Sequence, residues 1–381
     1  MIKQLRIKNY KCLQDIDISL GNFNVLIGPN NTGKTSLLEA ISSFGETAIL
    51  PWEKCSLFSS FGELKWMGEK DAEIQFGMIS KEKELDYSLI FSSSNGKTTL
   101  KDEILLSAGK RVLVRDSQGR YSFKDPGDPG FSGPLGTILL MGQNTIHTNP
   151  KFQELSQVAQ ILSHINVCTL KPTSLAQNSY LEPTQLKNPQ MDKSGYGLPS
   201  ILSVLASTAP EDTRYSQTKS YLREAVPEIT GFGIIPTPVK MDGKEKFSVT
   251  GQSLYFSVKG SQHKVSASLM SDGVLLILGY LTLVYTTKHP AILLIEEPEN
   301  GIHPKLLKFV VELLRGLSKG LDENTPPVQV ILTTHSPYLL DCVEPEEVHL
   351  FQKDEKGATK ITPVSAIKGI HDWLSEYMLG E

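Results

Sequence analysis

The residues Gly28-Pro29-Asn30-Asn31-Thr32-Gly33-Lys34-Thr35 fit the spacing GxxxxGK[ST] at every fixed position. Glycines at both ends let the backbone turn with positive φ and approach a ligand closely. The N–H groups between them then converge on an anion. Lys34 adds a full charge for β- and γ-phosphates, and Thr35 offers a hydroxyl to Mg²⁺. Ser36 opens the next helix, whose N-terminus adds partial positive charge. The motif needs a strand before it and a helix after it. Phe23-Asn24-Val25-Leu26-Ile27 reads as a short buried strand, and Ser36-Leu37-Leu38-Glu39-Ala40-Ile41 as the first turns of a helix. Residues 28–36 are therefore expected to contact ATP.

A second set of chemistry-bearing residues lies far downstream. Residues 291–295 form an apolar strand that ends in Glu296-Glu297-Pro298-Glu299-Asn300. Carboxylates at the end of a buried strand are costly without a cation or donors nearby. Beside a phosphate loop, Glu296 would hold Mg²⁺ through water, and Glu297 would orient or deprotonate the attacking water. The alternative is a surface loop whose carboxylates cap the following helix. Residues 329–333 form another apolar strand, followed by Thr334-His335-Ser336-Pro337. The strand ends of a parallel sheet are where ligands bind, so His335 would bond the γ-phosphate or the water; a structural histidine is the alternative. Met270-Ser271-Asp272-Gly273 precedes an apolar helix. Ser271 there either caps the helix or grips an anion.

The elements that must position these groups follow from pattern. Residues 2–10 alternate as a strand, with Leu5 and Ile7 on one face and Arg6 and Lys8 on the other. Residues 12–20 continue the β character. Short β-like runs between 72 and 124 read as an antiparallel layer inserted after the first helix. Residues 125–136 and 182–199 are rich in Pro, Gly or polar side chains and read as loops. Helical periodicity is present at 152–165, 197–205 and 212–226, and a hairpin is expected at 247–258 around Gly251. The last third alternates helix 272–286, strand 291–296, helix 304–318, strand 328–333, helix 336–341 and strand 347–352, the pattern of a mostly parallel sheet covered on both faces. A terminal helix is expected at 366–379. These elements divide the chain into an N-terminal lobe (1–140) with the phosphate loop and antiparallel layer, an inserted, mainly helical region (141–260) and a C-terminal lobe (261–381).

Composition narrows the partners. At 381 residues the chain can bury one large core or two modest ones. A net charge of −4 and a pI near 6.1 exclude a global basic footprint, so nucleic acid would need a local patch. Lys3, Arg6, Lys8 and Lys11 could line such a groove, or simply solvate an exposed strand face. Cys12, Cys55, Cys168 and Cys342 are far apart and form no CxxC pair, which excludes metal-site spacing and points to a reducing cytoplasm. The N-terminus lacks the apolar core of a signal peptide. The apolar run 274–285 is too short to span a bilayer, so no membrane contact is expected.

Taken in order, GPNNTGKT, LMSDG, LLIEEPENGIHP and ILTTHSPYLLD resemble the ABC-type ATPase heads of the SMC/RecF group, in particular stand-alone bacterial ATPases related to OLD (overcoming lysogenization defect) proteins. The opening Leu5-Arg6-Ile7-Lys8-Asn9-Tyr10-Lys11 also looks like the basic first strand of that group. The resemblance covers 1–45 and 265–352 well and the middle loosely. It implies an α/β P-loop NTPase fold: a mostly parallel core sheet, an antiparallel layer and an inserted helical subdomain. It also implies a homodimer sandwiching two ATP molecules, with Ser271 and Gly273 reaching the γ-phosphate of the partner's ATP and with Asn300 and His303 in a segment crossing the interface. Catalysis would rest on Lys34, Glu297 and His335, and the metal on Thr35 and Glu296. Three departures stand out. The signature reads SDG rather than SGG, Glu296 stands where Asp is commoner, and the glutamine sensor has two candidates, Gln75 and Gln143. OLD nucleases carry a TOPRIM nuclease after the ATPase; with about 45 residues left after the His335 motif, none is expected here. The implied function is an ATPase that dimerises on ATP and gates a DNA-related process or a separately encoded effector, such as a nuclease, in phage defence or DNA maintenance. A non-hydrolysing nucleotide-sensing scaffold and the ATPase subunit of a membrane transporter are the competing readings.

Overall fold

A computed structural model of the chain describes residues 1–51, 54–66, 73–94, 97–115, 119–123, 131–132, 137–142, 153–180, 190–208, 213–241, 244–286, 289–322 and 325–368. Its central sheet has six strands in the order β10 (Ile165–Cys168), β14 (Ile292–Glu296), β15 (Gln329–Thr333), β3 (Phe23–Ile27), β16 (Val348–Lys353) and β17 (Thr359–Pro363). The first five run parallel, and β17 closes the far edge antiparallel.

β3, β14 and β15 are buried along nearly their whole length and mostly apolar because both faces of the sheet are covered. Leu26, Ile292, Leu294, Ile331 and Phe351 pack into one core with helix α1 (Lys34–Ile49). Val25, Leu293, Ile295, Val330, Leu332 and Val348 pack into a second core with α8 (Asp272–Val284) and α9 (Pro304–Lys319). The apolar run at 274–285 is thus an internal helix, and no helix among the described residues is long and apolar enough to cross a membrane.

On its other side α1 meets an eight-stranded antiparallel sheet. Its order is β2 (Leu13–Ser19), β1 (Ile2–Tyr10), β4 (Ile74–Ser80), β5 (Leu85–Ser94), β6 (Lys97–Ser107), β7 (Lys110–Arg115), β8 (Arg120–Phe123) and β9 (Phe131–Ser132). Phe44 of α1 stacks on Phe76 with centroids 5.4 Å apart and on Tyr87 at 6.1 Å. The fully buried Glu103 is satisfied by Tyr87 Oη at 2.5 Å, Tyr121 Oη at 2.6 Å and the Ile138 N–H. Gln329 ties the two sheets together: its amide donates to Ile2 O at 2.7 Å and Gly21 O at 2.8 Å, and its carbonyl accepts from Ile2 N at 2.9 Å.

The remaining elements complete the two cores, the first through Leu155, Val158 and Leu162 and the second through residues such as Leu202, Leu222 and Phe256. They are α4 (Gln153–Leu162), α6 (Leu198–Ser207), α7 (Arg214–Ala225) and a three-stranded sheet of β11 (Ile229–Met241), β12 (Lys244–Val258) and β13 (Lys264–Ser266). Single helical turns lie at α2 (Ser56–Ser59), α3 (Phe61–Leu64), α5 (Pro172–Leu175) and α10 (Pro337–Leu340).

The expected P-loop α/β fold, with its parallel sheet and antiparallel layer, is the one observed. Two local expectations change. β12 runs straight through Gly251 and pairs with β11, so there is no turn at that glycine. A Cβ at Gly251 would lie 2.5 Å from Ser179 O and would overlap Val239 Cγ2; the glycine marks a close backbone approach within a strand. The middle region, expected as mainly helical, also carries β10 and the long β11–β12 pair, and β10 joins the core sheet beside β14. At the C-terminus, β17 and a 3₁₀ turn at Val364–Ala366 precede residue 368. The expected terminal helix beyond that point, Gln143, and most of the loop at 125–136 lie outside the described residues, as does 181–189 of the second expected loop.

His349 of β16 is 4% exposed, with Nε2 at 3.4 Å from Asn24 Oδ1 and Nδ1 without a partner. Burial pushes its pKa down from 6.5 to about 4. The folded chain therefore resists a proton that the unfolded chain accepts. Stability from this group is fully present above about pH 6.5 and is lost as the pH falls through 4, a difference on the order of 3 kcal/mol. Denaturant midpoints measured between pH 7 and 4 should fall more steeply for wild type than for His349→Gln. Parallel curves would remove His349 as the cause.

Candidate nucleotide-binding site

β3 ends in the phosphate loop, β14 in the carboxylates and β15 in Thr334 and His335. β15 lies between the other two, and the parallel register sets Leu26 beside Thr333 and Thr333 beside Glu296. Three separate stretches of sequence thus meet at the carboxyl ends of adjacent strands, the position at which open α/β sheets take ligands.

The loop is built for close approach. Gly28 has φ +138°, Asn31 +65° and Gly33 +105°. A Cβ on Gly28 would overlap the Phe351 carbonyl, and one on Gly33 would lie 2.5 Å from Thr359 Oγ1 and 2.8 Å from Cys12 Sγ. The loop is held from behind: Thr359 Oγ1 donates to Thr32 O at 2.8 Å, and Thr32 Oγ1 donates to Pro29 O at 2.8 Å. Pro29, Asn30, Asn31 and Thr35 are exposed, and Ser36 is half-buried. Lys34 is 6% exposed and donates to Gly28 O at 2.7 Å and Pro29 O at 3.0 Å. Burial lowers its pKa, and the nearby Glu297 carboxylate opposes that shift. A cation held only by neutral carbonyls can exchange them for phosphate oxygens, which bind it more strongly.

Glu297 takes a left-handed backbone, φ +44°, which is uncommon for a glutamate. Its N–H is shared between Thr333 O at 3.1 Å and Thr333 Oγ1 at 3.2 Å. The side chain accepts from Asn300 Nδ2 at 2.7 Å, and its other oxygen is 3.6 Å from His335 Nε2. Strain of this kind persists where the surroundings over-determine it, commonly at working sites. Glu296 is half-buried at the end of β14, where Thr169 Oγ1 donates to it at 3.5 Å. Among the described residues no cluster of three or more His, Cys, Asp or Glu is arranged to hold a metal. Glu296 and the exposed Thr35 hydroxyl remain the groups suited to a divalent ion whose other ligands are phosphate and water.

The structure brings Lys34, Glu297 and His335 together. Ser271 and Gly273 stand apart from the loop, at the N-terminus of α8. The Ser271 hydroxyl is exposed and makes no capping bond. Gly273 lies against the carboxylate loop, since a Cβ there would be 3.5 Å from Gly301 O. Asn300 is spent on Glu297 within its own chain, and His303 Nδ1 accepts from Lys305 N at 3.3 Å as the cap of α9. Gln75 sits on β4 opposite Lys8. The basic side chains of β1, and Lys11 just after it, each face a carboxylate of the same chain: Lys3 with Glu84 at 3.8 Å, Arg6 with Asp86, Lys8 with Asp15 at 3.4 Å and Lys11 with Glu39. Sequence reasoning gave no role to Thr169, whose strand is short and follows α4 directly, nor to Thr333, Thr334 and Glu299, whose spacing carries a signal only once β14 and β15 are known to be neighbours.

The model of the AAA ATPase domain matches residues 1–195, just over half of the chain. The chain belongs to this family. A second AAA domain model, whose description names an AbiEii toxin of a type IV toxin–antitoxin system, matches 188–341. An ATP/GTP phosphatase of Helicobacter pylori is 21% identical over 90% of this chain and 88% of its own length. An OLD nuclease of Thermus scotoductus is 51% identical over 41 residues, 11% of this chain and 8% of the nuclease. RecF of Yersinia pseudotuberculosis is 26% identical over 34% of this chain and 40% of its own length. The chain therefore spans only a small part of the OLD nuclease and well under half of RecF. An SMC head crystallised with the C-terminal domain of ScpA derived from Pyrococcus furiosus shares the fold, with a TM-score of 0.52 at 12% identity over 98% of this chain and 99% of that one. This AAA ATPase is similar in part of its sequence to RecF and to an OLD nuclease and shares the fold of an SMC head, the resemblances its motifs carried.

Gly33→Ala tests the loop. It places a side chain at φ +105° and against Thr359 and Cys12, at a cost of about 2 kcal/mol or more. Thermal unfolding should show that loss, and binding of a fluorescent ATP analogue should weaken at least about tenfold. Unchanged stability and affinity would mean that the loop geometry is not needed.

Proposed function

We propose that this AAA ATPase binds ATP with Mg²⁺ and hydrolyses it between two copies of the chain, and that turnover gates a DNA-related process or a separately encoded effector such as a nuclease in the cytoplasm. The observation that carries the reading is the meeting of Lys34, Glu297 and His335 at adjacent strand ends, with the Glu297 side chain held by Asn300 and its backbone by Thr333.

Lys34 exchanges the Gly28 and Pro29 carbonyls for β- and γ-phosphate oxygens. Glu297 orients the attacking water and takes up its proton, and His335 lies close enough to bond the same water or the γ-phosphate. Thr35 and, through water, Glu296 are the residues that would hold Mg²⁺, which would supply charge neutralisation at the phosphates. The dimer is supported by what one chain leaves unused. The Ser271 hydroxyl is free beside Leu269, an apolar side chain 79% exposed, and Tyr338, two residues after Ser336, is 58% exposed. The packing of Gly301 against Gly273 links a chain's own carboxylate loop to the serine it would present to its partner, a route by which hydrolysis at one nucleotide is felt at the other. The phosphatase relative supports turnover, and the OLD and RecF relatives support a link to DNA.

Lys34→Ala should weaken ATP binding roughly 100-fold. Glu297→Gln should keep binding and lower turnover by roughly 10² to 10⁴, measured by phosphate release. Glu297→Gln with ATP should also run as a dimer in light scattering, and adding Ser271→Arg should return it to a monomer. Full turnover in Glu297→Gln would remove Glu297 as the base, and absence of phosphate release from the wild-type chain would favour the non-hydrolysing sensor reading.

A further inference from the structure

Glu299 does more than extend the acidic run. Its Oε1 accepts both the Thr334 hydroxyl and the His335 backbone N–H, each at 2.8 Å. Thr334 Oγ1 in turn accepts the Ser336 N–H at 3.0 Å. One carboxylate oxygen on the loop after β14 thus fastens the whole turn that carries His335 on the loop after β15. Its other oxygen, Oε2, is buried with no partner, an arrangement that is costly and is kept against that cost.

A second attachment joins the same two loops. The Glu297 N–H is bound to Thr333 while its backbone is left-handed. Both attachments join the two loops that carry the pair, so the separation of 3.6 Å between Glu297 Oε1 and His335 Nε2 is set by both. Among the described residues none of the hydrogen bonds of Glu299 reaches residues 28–36, so the strut acts on the reacting groups and not on the phosphate cradle. From this we infer that Glu299 is a positioning residue, which sets the placement of His335 against Glu297 and through it the rate of the chemical step, without holding nucleotide. The inference rests on the ATPase reading above.

The test is a double-mutant cycle on the full chain, with kcat and KM from phosphate release, Kd for a non-hydrolysable fluorescent ATP analogue, and the unfolding midpoint for each variant. Glu299→Ala should lower kcat by about 100-fold and leave Kd within about threefold. Glu299→Gln keeps an oxygen that can accept both donors and should recover most of the rate. His335→Ala should be as slow as Glu299→Ala, and the double variant no slower than either, because both changes remove one arrangement. Full loss in the double variant on top of each single loss, or a wild-type kcat in Glu299→Ala, would overturn the positioning role. Should Glu299→Ala not fold, Thr334→Val, which deletes one of the two donors, enters the same cycle with the same expectations. Turnover left unchanged by Lys34→Ala would instead place hydrolysis away from this site and leave the strut without a reaction to serve.

Discussion

The structure depends on the in-register parallel pairing of β14, β15 and β3. Hydrogen bonds between parallel strands fix neighbours to within a residue, so Leu26, Thr333 and Glu296 end level with one another. A slip of one residue would turn Leu293 and Ile295 into the core meant for Leu294 and Ile292. The apolar alternation that fills two cores is therefore the same feature that brings a lysine, a glutamate and a histidine from distant parts of the chain to one edge. Gln329 secures this from the opposite end by bonding Ile2 and Gly21 and so locking the antiparallel sheet to the parallel one.

On that platform the loops are held from both sides. Thr359 of β17 supports Thr32, and Cys12 of the β1–β2 turn fills the space beside Gly33. Glu297 is strained in backbone and held in side chain, and Glu299 joins its loop to that of His335. Ser271, Leu269 and Tyr338, the groups proposed to meet a second copy, are exposed.

Much of this was legible in the sequence, for identifiable reasons. β3, β14 and β15 are mostly apolar runs that give way at Gly28, Glu296 and Thr334, and those stops are chemical groups with a shared use. Order and adjacency were not legible, because buried parallel strands carry no polar alternation to say which lies beside which. β10 escaped notice because it is four residues long, is half-exposed over most of its length, and begins three residues after α4. Gly251 misled because glycine serves both turns and close approaches, and only the neighbouring strand decides between them. The cationic row of β1 looked available until the fold set Asp15, Asp86 and Glu84 against it.

The most direct measurement is a crystal structure of Glu297→Gln grown with ATP and Mg²⁺. The γ-phosphate should lie within hydrogen-bond reach of Lys34 and His335 of one copy and of the Ser271 hydroxyl of a second, with Lys34 released from the Gly28 carbonyl. A nucleotide bound elsewhere, or Lys34 still resting on Gly28 and Pro29 with ATP present, would contradict the account.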